Sequence, residues 1–178
     1  MGTRSNIFVI IGSASKHSAN EKLVDILSSF TSGFFNFTIM NELKHIPHFD
    51  PELSTTRPPE AVLNLRDEIK RADGVIICTP EYIFSIPSGL KNAIEWCVST
   101  TVFCEKPVGL ITASASGLKA HDELKLIMRT LMAKFSDDAT LLIQGVKGKI
   151  NEDGVLTDAA TESNLAKFID AFKKQVLV

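Results

Sequence analysis

Ile7-Phe8-Val9-Ile10-Ile11-Gly12-Ser13-Ala14-Ser15-Lys16-His17-Ser18-Ala19-Asn20 is an unbroken apolar run that ends in a turn of glycine, serines and an asparagine. A short, mostly β-branched run bounded by polar residues predicts a strand covered on both faces, since no residue in it is suited to meet water. Ser18, with Glu21 three residues on, has the spacing of a capping box, so a helix begins near Ala19.

Working outward, the same strand pattern recurs at 75–78, 108–111 and 141–143. The segment 35–39 (Phe-Asn-Phe-Thr-Ile) alternates apolar and polar residues, which predicts a half-exposed edge strand. Between these runs lie helical stripes: Leu23, Ile26, Leu27 and Phe30; Leu124, Ile127, Met128, Leu131, Met132 and Phe135; and Leu165, Phe168, Ile169 and Phe172. Such stripes read as core. Two further helices are expected over 60–71 and 88–98, and the proline-rich stretch 44–59 reads as a surface loop. Strand and helix thus alternate through five strands, the pattern of an α/β three-layer sandwich with a parallel sheet. An edge position for the second strand favours the order 2-1-3-4-5, a flavodoxin-like arrangement, over the six-strand dinucleotide fold. In this architecture ligands collect beyond the carboxyl ends of the strands where the winding reverses, here at the first and third strands.

The 178 residues, 44% of them hydrophobic, can bury one core, so 1–178 is expected to be a single domain. A formal net charge of -2 offers no basic field for a polyphosphate backbone, which argues against a nucleic-acid partner. No apolar run reaches the ~20 residues that span a bilayer, so a cytoplasmic protein without a membrane partner is expected. Cys78, Cys97 and Cys104 show no Cys-x-x-Cys spacing and are read as reduced thiols. His17, His45, His48 and His121 are read as surface residues; no pair of them has metal-binding spacing on one helix face.

The chemistry therefore rests on the loops. The start of a helix after Gly12–Asn20 offers unpaired N–H groups and a positive dipole end, to which Ser13, Ser15 and Ser18 add hydroxyls, so the turn suits a bound phosphate. It lacks Gly-x-x-x-x-Gly-Lys-Ser/Thr and Gly-x-Gly-x-x-Gly, so a monophosphate fits better than ATP or a tightly held dinucleotide. Ser-x-x-Lys occurs three times, from Ser13, Ser88 and Ser116, without the accompanying motifs that give it meaning, and no Gly-x-Ser-x-Gly elbow is present. No catalytic side chain and no metal ligand stands out.

After the third strand comes Thr79-Pro80-Glu81-Tyr82-Ile83-Phe84-Ser85-Ile86-Pro87-Ser88-Gly89-Leu90-Lys91-Asn92-Ala93-Ile94-Glu95-Trp96. Two prolines stiffen the loop, and Tyr82 and Phe84 set aromatic surface beside the crevice. This stretch resembles the signature of the NADPH-dependent FMN reductase family, Pro-Glu-Tyr-Asn followed by Ser-x-Pro-x-x-Leu-Lys-Asn-Ala-Ile-Asp-Trp. The turn after the first strand is similar to that family's Gly-Ser-x-Arg-x-x-Ser-x-Asn. The likeness extends to Ile46-Pro47 and to the tail 152–158 (Glu-Asp-Gly-Val-Leu-Thr-Asp).

The resemblance implies a homodimer or homotetramer that holds FMN and takes NADPH or NADH as co-substrate. Gly12, Ser13, Ser15, Ser18 and Asn20 would surround the phosphate. Pro80, Glu81, Tyr82 and Ile83 would line the isoalloxazine edge, and Ser114, Ser116 and Gly117 would close over its pyrimidine end. Ser15 stands where the family has arginine, Ile83 where it has asparagine, and Lys119-Ala120 where many relatives have two glycines. Weaker FMN binding than is typical follows. The expected activity is transfer of electrons from NAD(P)H through FMN to a small acceptor such as a quinone, azo dye, nitroaromatic or metal oxyanion. A flavodoxin-type electron carrier and a cofactor-free binding protein on the same fold are the alternatives. Trp96 is open to two readings, interface or core.

Overall fold

In the computed structural model, which describes residues 3–177, the opening apolar run is the body of β1 (Ser5–Ile11). Its side chains alternate across the sheet: Ile7, Val9 and Ile11 enter one core and Phe8 and Ile10 the other, all at most 2% exposed. That two-sided burial is why the run contains no polar residue. β2 (Phe35–Met40), β3 (Gly74–Thr79), β4 (Val108–Ser114) and β5 (Thr140–Gln144) complete a parallel sheet in the order β2-β1-β3-β4-β5, as expected. β2, at the edge, buries only Phe35; Phe37 and Met40 are half-buried and Asn36, Thr38 and Ile39 are exposed.

Helices α1 (Ala19–Thr31) and α6 (Ala159–Val176) cover one face, through Leu23, Val24 and Leu27 and through Leu165, Phe168, Ile169 and Phe172. On the other face lie α3 (Glu60–Arg71), α4 (Ser88–Glu95) and α5 (Leu118–Thr130), through residues such as Leu65, Leu90 and Leu124. Burying each such side chain contributes about 1.5–3 kcal/mol before conformational entropy is set against it.

The structure departs from expectation in five places. The stretch 44–59 is not bare loop: it holds the end of a 3-10 turn (Leu43–His45) and the short helix α2 (Pro51–Thr56). Asp50 caps α2, accepting from the N–H groups of Glu52 and Leu53 at 2.9 and 3.0 Å, and Pro51 sits at the first helical position, where a missing N–H costs nothing. α4 stops at Glu95, short of the expected end at residue 98. α5 stops at Thr130: the N–H of Met132 turns back to the Arg129 carbonyl and that of Ala133 to Met128, leaving Met132 in the left-handed region at φ 59. The apolar stripe thus runs on through a turn, and Met132 ends up in solvent. Phe30 is nearly half exposed, at the outer margin of its stripe. His121 is not a surface residue; it is buried at the start of α5, its Nδ1 3.0 Å from the Thr112 hydroxyl.

Trp96 is fully buried within its own chain. Its Nε1 donates to the Pro47 carbonyl at 2.8 Å, and its ring meets Phe49 edge-on at 5.4 Å. Asn92 holds the same segment, donating to the Ile46 and Pro47 carbonyls and accepting from the Phe49 N–H. These two residues of the signature therefore pin the chain between β2 and α2. No helix among the described residues is long and apolar enough to cross a membrane.

Candidate functional site

The carboxyl ends of β1, β3, β4 and β5 open onto one cleft of about 910 Å³, within the range of ~300–1,000 Å³ usual for small-molecule and cofactor sites. Its first wall is the turn after β1. Gly12 starts it: its N–H donates to the Cys78 carbonyl at 2.8 Å, and a Cβ there would stand 2.4 Å from Thr79 Oγ1. Only glycine lets β1 and β3 approach so closely. Ser13, 8% exposed, bends back so that its Oγ accepts from the Ser15 N–H at 3.3 Å.

Ser18 caps α1 as its spacing foretold. Its Oγ accepts from the Glu21 N–H at 3.2 Å, and the Glu21 carboxylate accepts from the Ser18 N–H at 3.1 Å. The N–H groups of Ala19 and Asn20 keep no protein partner among the described residues. Asn20 is buried under the turn, where its Nδ2 donates to the Ala113 carbonyl at 3.2 Å and its Oδ1 lies 3.4 Å from Cys78 Sγ. It ties α1 to β3 and β4. Cys78 forms the floor beneath, and burial pushes its thiol pKa far up.

The second wall follows β3. Pro80 is buried and Glu81 half-buried; the Glu81 carboxylate accepts from the N–H groups of Gly117 and Ala120 at 3.1 and 3.0 Å. Glu81 thus satisfies two orphan donors at the start of α5 with a charge matched to the helix dipole. Tyr82 swings toward the first wall, its hydroxyl 3.5 Å from Ser13 Oγ. Burial alone would raise the Tyr82 pKa, but hydrogen bonds from Ser13, Ser15 and the Ala14 backbone outweigh it, and the phenol lies below its ordinary value.

The structure thus gathers Ser13, Ser15, Ser18, Asn20, Pro80, Glu81, Tyr82 and Ser114 on one cleft. Gly12 lies on the far side of the turn, along a smaller neighbouring cleft of about 440 Å³ that shares Ser13, Ser15 and Tyr82. Ile83 does not face either cleft and is 95% exposed, while Ser116 and Gly117 stand back from the lining beside α5. The end of β4 gives the third wall, Ser114 and Ala115, and a fourth escaped the sequence reading: residues 145–152, after β5, with Lys147, Asn151 and Glu152 on the cleft. Its signal was Gly145 and Gly148 just beyond a strand's carboxyl end, where this architecture collects ligands. Lys22 ties this wall to α1, donating to the Asn151 and Glu152 carbonyls, each at 3.3 Å.

Unpaired N–H groups at a helix start, three serines and nearby lysines form a donor set for an anion, while the loops after β3 and β4 supply the apolar side chains of Pro80 and Ala115 and the aromatic ring of Tyr82. Among the described residues no three His, Cys, Asp or Glu side chains gather as a metal site.

Residues 5–147 match the model of a family described as NADPH-dependent FMN reductase. The chain is 32% identical to the NADH:(hydroxy)cinnamate reductase subunit CrdA of Vibrio ruber, over 97% of this chain and 86% of that protein. It is 27% identical to the quinone reductase of Escherichia coli, over 97% and 95% of the two chains. Among solved structures, the flavoenzyme NAD(P)H:(acceptor) oxidoreductase FerB of Paracoccus denitrificans superposes with a TM-score of 0.80 at 29% identity, covering 97% of each chain.

Proposed function

The chain belongs to the NADPH-dependent FMN reductase family, and on that premise we propose that its cleft grips the flavin phosphate at the turn after β1 and serves small quinone-type electron acceptors. It is an FMN-dependent NAD(P)H oxidoreductase on a flavodoxin-like fold. The observation that carries the proposal is the anion-suited start of α1 sharing one cleft with the loops after β3 and β4.

The residues fit the group. Ser13, Ser15, Ser18 and the N–H groups of Ala19 and Asn20 would hold the phosphate. Pro80, Glu81 and Tyr82 would line the ring edge, with Ser114 at its pyrimidine end. Ile83, Ser116 and Gly117 stay off the lining; Gly117 holds the ring-edge loop through its N–H to Glu81, and Ile83 belongs to the turn that follows Tyr82. Bound FMN accepts hydride and passes electrons onward, so the chain has to supply grip, orientation and exclusion of water, with no acid-base pair of its own.

A quinone acceptor is favoured by relatives named for quinone reduction, the Escherichia coli enzyme above and a 2-hydroxy-1,4-benzoquinone reductase of Burkholderia that is 26% identical over 93% of this chain. The same reading makes the whole chain one FMN-binding domain, assembled as a homodimer or homotetramer in the cytoplasm. The test is spectroscopic. Protein mixed with FMN is expected to lose the oxidised-flavin absorbance when NADPH is added without oxygen and to regain it on addition of benzoquinone. A protein that does not respond to FMN, or a flavin that NAD(P)H leaves unbleached, would overturn the proposal.

A further inference from the structure

A turn clamped on several sides presents Lys147 to the cleft. Gly145 opens it in the left-handed region at φ 64, and its N–H donates to the Ala115 carbonyl at 3.1 Å. Val146 is buried in the core beneath α1 and α6. Beyond it the N–H groups of Gly148 and Lys149 turn back to Gly145 and Val146 at 3.0 and 3.1 Å, and the Lys149 ammonium is tied to Thr161 Oγ1 at 3.0 Å and to Asp158 at 3.5 Å. The backbone either side of Lys147 is therefore committed, and its side chain is exposed on the cleft.

The charged groups on that cleft are Lys16, Lys22, Lys147, Glu81 and Glu152, with His17 beside them. Glu81 is taken up by the start of α5 and Lys22 by the Asn151 and Glu152 carbonyls. Lys16 and Lys147 make no ion pair or hydrogen bond among the described residues, so they are the uncommitted cations of the site. A phosphomonoester carries about -1.5 to -2 charges at neutral pH, and the turn after β1 supplies a single lysine against it.

We propose that Lys147 is a phosphate-binding residue: its ammonium meets the flavin phosphomonoester from the turn after β5, while Lys16 does so from the turn after β1. This rests on the reading of the cleft as the FMN site. An ammonium is a point charge without the two-pronged geometry of a guanidinium, so the contribution is Coulombic and salt-sensitive. A second phosphate could claim the same cation, the one on the ribose of NADPH, and the experiment has an arm for it.

Flavin-free wild type and Lys147→Gln are titrated with FMN and with riboflavin, following quenching of flavin fluorescence. The FMN Kd is expected to rise about three- to fivefold in the variant, the size of one exposed, partly screened charge contact. Riboflavin, which lacks the phosphate, should shift by less than about twofold, and Lys147→Arg should restore FMN binding. Added potassium chloride should narrow the gap between wild type and Lys147→Gln, because screening removes what the substitution removes. The ratio of KM for NADPH to KM for NADH should not move. Unchanged FMN affinity, an equal loss for riboflavin, or a loss confined to the KM for NADPH would each overturn the role of Lys147. Wild type that binds neither flavin would bring down the FMN site and the role of Lys147 together.

Discussion

At the scale of single residues, Gly12 is where fold and site constrain each other most tightly. A methyl group there would meet Thr79 Oγ1 at 2.4 Å, Thr79 Cβ at 2.8 Å and Leu90 Cδ2 at 2.9 Å, all held by β3 and α4. None is the loose end of a flexible side chain, so β1 and β3 would have to part at the mouth of the cleft. Gly12→Ala should therefore cost about 1–3 kcal/mol of stability and weaken FMN binding as well, read by thermal melting and by flavin titration. A variant as stable as wild type would show that the strands yield more easily than their packing suggests. Glu81 differs in kind. Its place beside a ring-binding loop was legible from the motif, but its use was not, because the N–H groups it satisfies lie 36 and 39 residues away on the start of α5.

At the scale of the element, the turn Tyr82–Ser85 is the strained part of the site. Tyr82 and Ser85 exchange N–H to carbonyl bonds at 2.9 and 3.1 Å, with Ile83 at φ 49 and Phe84 at φ 58 between them, as in a mirror-image hairpin turn. Glu123 holds the far end, accepting from Ser85 Oγ at 2.7 Å and from the Ile86 N–H at 2.9 Å. A β-branched residue in the left-handed region costs roughly 1–2 kcal/mol, and Ile83, 95% exposed, recovers little of it by packing. Asparagine tolerates that conformation, so Ile83→Asn should stabilise the chain by about 0.5–1.5 kcal/mol, seen as a raised Tm. A lowered Tm would mean that the isoleucine is gripped by something outside this chain. The sequence made the loop visible through its prolines and aromatics, but the sign of φ was hidden, since isoleucine and phenylalanine are among the last residues expected there. The ends of α5 and α2 were obscured in related ways. Met132 took a place usually given to glycine, and Pro51 read as a breaker although it starts a helix.

At the scale of the whole molecule, the strands were legible because each covered strand must be apolar on both faces, and the sheet order followed from the one strand that alternates. The site was harder to read because it is shared among loops separated by some 130 residues of chain, from Ser13 to Lys147. Three of the four loops carry hydroxyls or a motif; the fourth carries two glycines and two lysines, of which only Lys147 lies on the cleft. His121 illustrates the same limit, for nothing local marks a histidine in the first turn of a helix as buried. Its surroundings make it a determinant of how the fold responds to acid. Burial against β4 disfavours the imidazolium, the neighbouring Lys125 adds to the effect and Asp122 opposes it, so its pKa in the fold lies below the ordinary 6.5. The unfolded chain binds that proton more readily than the folded one. The stabilising difference is then fully present above about pH 6.5 and is lost as the pH falls below it. Glu42, Asp137 and Asp158 are shifted down as well, but their carboxylates titrate from ordinary values of 4.5, 3.8 and 3.8, below this window. Between pH 7 and pH 5 the wild-type Tm should therefore fall by roughly 2–4 °C for each kcal/mol lost. His121→Gln, which keeps a polar partner for Thr112 but takes up no proton, should show a flatter profile over the same range. Parallel profiles for the two proteins would assign the acid sensitivity to groups other than His121.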